Sequence, residues 1–233
     1  VEGLCTKRLD GISFHVRAGE VVGFFGLMGA GRTEVAKAIV GFDPITKGRI
    51  RIDGEDLKPH STVRSKALGI GLLSEDRKTE GLMLDGSVTR NMTLAALEQF
   101  TRNGLMDHRA ETRQAQGFVD RFAIKLAKLG QPIRNLSGGN QQKVLLSRWL
   151  MFGLKAVVLD EPTRGIDVGA KAEIFALIDE LAAQGLAVIL LTSEMPELLG
   201  LSDRVYVLSE GRMTGEFTRE TATQEEILDA AIR

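Results

Sequence analysis

Three uninterrupted apolar runs constrain this chain more than any other feature. They are VVGFFG (Val21 to Gly26), AVVLD (Ala156 to Asp160) and LAVILLT (Leu186 to Thr192). Each is far too short to cross a bilayer, and each lacks the alternation of a strand with one wet face. Such runs suit strands buried on both sides. GIGLLSED (Gly69 to Asp76) is a fourth buried strand that runs into polar residues. Helical patterns lie between them: TEVAKAIVG follows the first run, and a helix over roughly Gly169 to Gln184, closed by Gly185, separates the second from the third. Strands alternating with helices imply parallel βαβ units.

The ends of the chain read differently. ISFHVR (Ile12 to Arg17) and GRIRIDG (Gly48 to Gly54) alternate apolar and polar residues, as half-buried strands do. RVYVL and RMTGEF form a hairpin around Glu210-Gly211, and a final short helix opens with Thr223 and Glu226 in capping-box register. From Ser87 to Gly130 apolar residues recur at helical spacing (Met92, Ala95 and Ala96, then Phe118, Phe122 and Leu126), with a break at Asn103-Gly104. The expected class is α/β: a parallel sheet flanked by helices, an antiparallel fringe near the N-terminus and a small helical insert. The expected lobes are 1–86 and 131–233 for the core and 87–130 for the insert.

Composition narrows the function. Of 233 residues, 43% are hydrophobic and 26% charged, which fits a globular protein rather than a disordered one. The net charge of −1 supplies no field to attract nucleic acid or an anionic membrane. One cysteine, Cys5, allows no internal disulfide, and the three histidines lie too far apart in sequence for a zinc site of the usual spacing.

Chemistry concentrates at three places. After VVGFF comes GLMGAGRTE, in which Gly26, Gly31, Arg32 and Thr33 fit G-x-x-x-x-G-K-[ST] with arginine replacing lysine. Gly26, Gly29 and Gly31 would let backbone N–H groups converge on phosphate oxygens at a helix N-terminus, and the Thr33 hydroxyl stands where a Mg²⁺ ligand belongs. A plain glycine turn between strand and helix would use the same residues. AVVLDEPT ends a buried strand on Asp160, placed to reach a Mg²⁺ shell, and on Glu161, placed to polarise a water in line with a γ-phosphate. Acidic residues also end buried strands simply because they resist burial. Third, LSGGNQQKVLLSRWLM (Leu136 to Met151) opens an amphipathic helix with a serine and two glycines, either an anion site or an ordinary cap.

LSGGNQQK, LDEPTRGID and LSDRVYVLSEGR, in this order after a phosphate loop, resemble the nucleotide-binding domain of ATP-binding-cassette (ABC) transporters, from about Leu9 to Arg233. GLMGAGRTE, SEDRKTEGL, TSEMPELLGLSDR and GEFTRETATQE look closest to the second cassette of the two-cassette ATPases of ribose/galactose-type sugar importers. The resemblance implies a P-loop NTPase core using ATP and Mg²⁺. It implies a head-to-tail partner cassette within one longer chain, of which this is a part. It also implies a permease subunit docking through a cytoplasmic coupling helix, on the inner face of the plasma membrane, with no nucleic acid and no direct sugar contact. Carried onto this sequence, Gly26, Gly29, Ala30, Gly31, Arg32, Thr33 and Glu34 would bind nucleotide. Thr33, Asp160 and Glu75 would hold the metal, and Glu161, Glu194 and Glu75 would serve catalysis. Leu136, Ser137, Gly138, Gly139 and Gln141 would face the partner's ATP. Arg164 and Asp167 would lie at the dimer seam.

Departures from the family pattern imply asymmetry. Arg32 stands for the usual lysine, Glu75 for a glutamine and Glu194 for a histidine at the γ-phosphate, and no aromatic residue near Cys5 to Lys7 is placed to stack on adenine. A carboxylate about 4 Å from a phosphate charge is repelled by about 4 kcal/mol in a partly screened site. LSGGNQQK is intact. The expectation is a domain whose own site binds weakly or hydrolyses slowly and which completes the partner's site. Alternatives are a non-hydrolytic regulatory module and a soluble cassette ATPase acting on DNA or ribosomes. The neutral charge speaks against the last.

Overall fold

Strands buried on both faces need helices above and below, and that is the architecture found in the computed structural model, which describes residues 1–58 and 60–233. The strands are β1 (Glu2–Cys5), β2 (Val21–Gly26), β3 (Lys47–Arg49), β4 (Arg51–Ile52), β5 (Glu55–Asp56), β6 (Ile70–Leu73), β7 (Thr101–Arg102), β8 (Leu105–Met106), β9 (Ala156–Asp160), β10 (Ala187–Leu191), β11 (Arg204–Ser209) and β12 (Arg212–Thr218). The α-helices are α1 (Arg32–Ile39), α2 (Thr62–Ala67), α3 (Val88–Thr93), α4 (His108–Arg121), α5 (Gly138–Leu150), α6 (Val168–Ala183), α7 (Met195–Leu201) and α8 (Gln224–Ile232). No helix among the described residues is long and apolar enough to cross a membrane.

The chain forms two compact units. The first comprises Val1–Leu72, Lys155–Pro162 and Ile178–Arg233. Its sheet runs in the order β12-β11-β2-β10-β9-β6. β11, β2, β10 and β9 are parallel, and β12 returns antiparallel through the turn at Glu210-Gly211. Alternate residues of β2 serve opposite faces, as a period of two requires. Val22 and Phe24 join the core that includes Val35, Ala36 and Ile39 of α1. Phe25 joins Leu198 of α7 and Ile227 of α8 on the other face. The register aligns Leu191 with both Asp160 and Phe24, so β9, β10 and β2 finish along one edge. The Thr223 hydroxyl accepts the Glu226 N–H at the start of α8, the first half of the expected capping box, and donates to the Glu226 carboxylate at 2.7 Å.

The expected antiparallel fringe is present near the N-terminus, but its strands are not the ones the alternation marked. Ile12–Arg17 does not form a strand; only Ile12 makes a bridge, to Leu4. The alternation records burial, since Ile12 and Phe14 lie in the core while Ser13 and His15 face solvent. The strand pairing in this region is instead that of β1 with β3, antiparallel. The expected Gly48–Gly54 strand divides into β3 and β4 around buried Ile50, and β4 turns at Asp53-Gly54 into β5.

The second unit comprises Leu73–Leu154 and Thr163–Leu177, a wider span than the 87–130 insert read from periodicity. It takes in α5 and the start of α6 because these helices pack within it. Asn103 and Gly104, both at positive φ, form the turn joining β7 to β8. Arg148 of α5 is the internal tie of this unit. Its guanidinium donates to the carbonyls of Asn91 (2.7 Å) and Gly81 (2.6 Å) and to the Asn91 side-chain oxygen (3.1 Å). Burial lowers its pKa to about 10, so it remains a cation at neutral pH. Arg148→Met removes three hydrogen bonds, of which the Asn91 side-chain oxygen keeps another donor, the Met83 N–H, and is expected to lower stability by about 2–4 kcal/mol in urea unfolding. A loss below about 0.5 kcal/mol would contradict this role.

Candidate functional site

In the first unit the glycine loop joins β2 to α1. Gly31 precedes the helix at φ 107, and Gly29 sits at φ 83, values that a side chain strongly disfavours. A Cβ on Gly31 would also press on Leu9 at 3.0 Å. Arg32 begins α1 and turns back beneath the loop. Its guanidinium donates to the carbonyls of Gly26 (2.9 Å) and Thr192 (2.8 Å), and its second terminal nitrogen pairs with Glu161 Oε1 at 2.9 Å. The side chains of Arg32 and Glu161 are 14% and 7% exposed, so water screens this pair little. One side chain thus binds the ends of β2, β10 and β9. Glu161 itself sits at φ 48 while its N–H donates to the Leu191 carbonyl at 2.9 Å, a left-handed conformation that costs a non-glycine residue energy. Ala30 is buried in the core cluster, and Glu34 pairs with Arg8 at 2.5 Å.

Asp160 ends β9 almost fully buried, within hydrogen-bond reach of the Thr33 hydroxyl. Its Oδ1 has no hydrogen-bond partner. Burial, reinforced by the neighbouring Glu161 charge, raises its pKa to about 6, opposed by the Thr33 bond, Arg32 and Lys37. A buried, unsatisfied carboxylate oxygen beside a hydroxyl is a donor set that suits a hard cation, and Thr33 with Asp160 fits Mg²⁺. Beyond β10, the Thr192 hydroxyl donates to Glu197 (2.5 Å) and accepts the Glu194 N–H (3.0 Å), which fixes the start of α7. Glu194 is half-buried at that helix start.

In the second unit Glu75 is paired with Arg164. Arg77 donates to the carbonyls of Arg164 (2.6 Å) and Gly165 (2.9 Å). Glu75, Asp76, Arg77, Lys78 and Arg164 surround a cavity of about 290 Å³. Asp167 accepts the Ala170 N–H at 3.0 Å near the start of α6. The two glycines of LSGGNQQK, the signature motif, sit in close packing. A Cβ on Gly138 would meet the Arg77 guanidinium at 2.8 Å, and one on Gly139 would lie 2.5 Å from the Ala170 Cβ. Leu136 is buried. Gln141 is buried too, and its amide donates to the carbonyls of Ile133 and Leu136, so it serves its own chain. Ser137 is exposed at the helix start, and its hydroxyl accepts from the Asn140 side chain at 2.8 Å.

Sequence reading missed Thr192, Arg8, Arg77 and Asn140. The end of the LAVILLT run was a signal for Thr192, since strand carboxyl ends gather at one edge. Nothing local marks Arg8, whose partner lies 26 residues away.

The buried carboxyl yields a pH signature. Asp160 holds its proton more tightly in the folded chain than at its ordinary 3.8. Its contribution to stability is therefore full below about pH 4 and lost as pH rises through about 6. In EDTA-treated protein, Asp160→Asn is expected to raise stability by up to about 3 kcal/mol at pH 8 and by much less at pH 4, measured by calorimetry. An equal gain at both pH values would contradict the raised pKa.

Comparison with known proteins places this geometry. A family model described as ABC transporter matches residues 9–164. Over 233 residues the chain is 48% identical to the ribose import ATP-binding protein RbsA 2 of Streptomyces coelicolor, covering 100% of this chain and 45% of that protein. It is 45% identical over 231 residues to the ribose import ATP-binding protein RbsA of Streptococcus agalactiae, covering 99% of this chain and 47% of that protein. The chain therefore spans about half the length of these curated relatives. Among solved structures, the ADP conformation of MJ1267, an ATP-binding cassette of an ABC transporter, superposes with a TM-score of 0.81 at 22% identity, covering 99% of this chain and 96% of that one. That likeness concerns the fold, whereas the family match and the relatives concern the sequence, and the chain belongs to the ABC transporter family.

Proposed function

We propose that this cassette couples ATP binding and hydrolysis to import of a monosaccharide, paired head-to-tail with a second cassette in a longer chain, and that its own nucleotide site is the weak member of the pair. The ribose import function named for its relatives supports the substrate class. In this reading the chain works in the cytoplasm on the inner face of the plasma membrane, bound to a permease through a coupling helix.

The observation that carries the asymmetry is the engagement of Arg32. A phosphate-loop lysine reaches the β- and γ-phosphates as a compact charge. Here the guanidinium is held by two carbonyls and by Glu161. Its charge is spent within the protein, and the carboxylate that would draw a proton from water already has a cation against it. Glu194 adds a negative charge where the family pattern puts a phosphate-binding histidine, and the carboxylate of Glu75 is engaged by Arg164. Gly26, Gly29, Gly31 and Thr33 retain the cradle. Mg²⁺ bound by Thr33 and Asp160 would offset phosphate charge. The signature face that this cassette offers its partner consists of Ser137 with the backbone of Gly138 and Gly139, while Leu136 and Gln141 support it from inside.

The single domain is expected to turn over ATP at no more than about a hundredth of the rate reached when it is joined to a lysine-bearing partner cassette, measured by phosphate release. Fast turnover by the domain alone, abolished by Glu161→Gln, would refute the reading. If the joined pair were also inactive while still binding ATP, the non-hydrolytic regulatory module would be the better account.

A further inference from the structure

We infer that Asn140 is a positioning residue that makes the Ser137 hydroxyl a hydrogen-bond donor toward the terminal phosphate of a nucleotide held by the partner cassette. This rests on the preceding reading of the signature face and adds the means by which its hydroxyl is oriented.

Serine before a helix ordinarily turns its oxygen inward to accept a backbone N–H of the first turn. Ser137 makes no such bond. Its Oγ accepts instead from the Asn140 side chain at 2.8 Å. An amide can present either nitrogen or oxygen, and here the far side decides. The backbone N–H of Lys125 lies 2.8 Å from the Asn140 oxygen. A backbone N–H only donates, so the oxygen must face Lys125 and the nitrogen must face Ser137. The amide nitrogen has no lone pair to offer. The Ser137 hydrogen therefore cannot point at Asn140, and the exposed side chain leaves it directed outward. Polarity runs one way along the relay: Lys125 N–H to Asn140, Asn140 to Ser137, Ser137 to an external acceptor. A phosphate oxygen, which only accepts, fits the end of that relay, and the α5 N-terminus favours its negative charge.

Asn140→Asp keeps the size and still accepts from Lys125, but it cannot donate. The Ser137 hydroxyl would then turn inward to the new carboxylate. The added charge could also act directly on the phosphate, so the test is a double-substitution cycle in the assembled two-cassette importer. Ser137→Ala, Asn140→Asp and the double variant are compared by kcat/KM for ATP hydrolysis and by inhibition with ADP, which lacks the terminal phosphate.

Each single change is expected to lower kcat/KM by about 10- to 100-fold, with ADP inhibition unchanged. Asn140→Asp should have almost no further effect once Ser137 is alanine. An equal loss from Asn140→Asp in both backgrounds would overturn the inference in favour of simple charge repulsion. A harmful Ser137→Ala with a silent Asn140→Asp would overturn it while leaving the signature reading intact. A silent Ser137→Ala would remove the signature reading itself.

Discussion

One guanidinium joins the ends of three strands. Arg32 bonds the last carbonyl of β2, the carbonyl just beyond β10 and the carboxylate just beyond β9. The parallel register makes this possible, because it brings those ends to one edge within the reach of a single side chain. A planar group with several donors can hold three acceptors together, whereas an ammonium on a flexible stem concentrates its charge at a point. The loop retains the shape of a phosphate cradle, but the cation at its base faces the protein. In the proposed function, structural closure and nucleotide affinity compete for the same charge. The proposed weakness of this site follows from that competition.

The second unit is built toward a different end. Its helix α5 starts hard against its neighbours: a Cβ on Gly139 would lie 2.5 Å from the Ala170 Cβ, and one on Gly138 would displace the Arg77 guanidinium. Lys143, five residues after Gly138, is buried and tied to the Phe122 carbonyl at 2.8 Å and to Glu173 at 2.6 Å. Arg148 anchors the other end of the helix. These contacts hold α5 along its length while leaving Ser137 exposed. Rigid support beneath an exposed donor is what anion recognition requires, since a donor already in place loses little freedom on binding. On the proposed reading the two units carry opposite specialisations: one turns its charge inward, the other holds its hydroxyl outward.

Much of this was legible in the chain. Continuous apolar runs located β2, β9 and β10, because burial on both faces removes alternation. The turn at Glu210-Gly211 and the Thr223–Glu226 cap were readable because their chemistry is local. Ile12–Arg17 misled because a coil segment that buries alternate side chains has the period of a strand without its ladder. The extent of the helical unit was hidden because packing between segments far apart in sequence, not composition, defines it. Arginine at the lysine position raised the expectation of altered phosphate chemistry. That it would pair with Glu161, more than a hundred residues later, depends on the parallel register. Gln141 shows a further limit: the sequence did not reveal that its amide bonds the carbonyls of its own chain.

The account turns on whether Arg32 withholds its charge from nucleotide. The most direct measurement is the MgATP affinity of the chain by titration calorimetry, with Arg32 and with Arg32→Lys. A lysine cannot hold all three strand ends and would be released to the phosphates. The variant is expected to bind at least about tenfold more tightly, at some loss of thermal stability. Equal or weaker binding by the lysine variant, with the fold intact, would contradict the account.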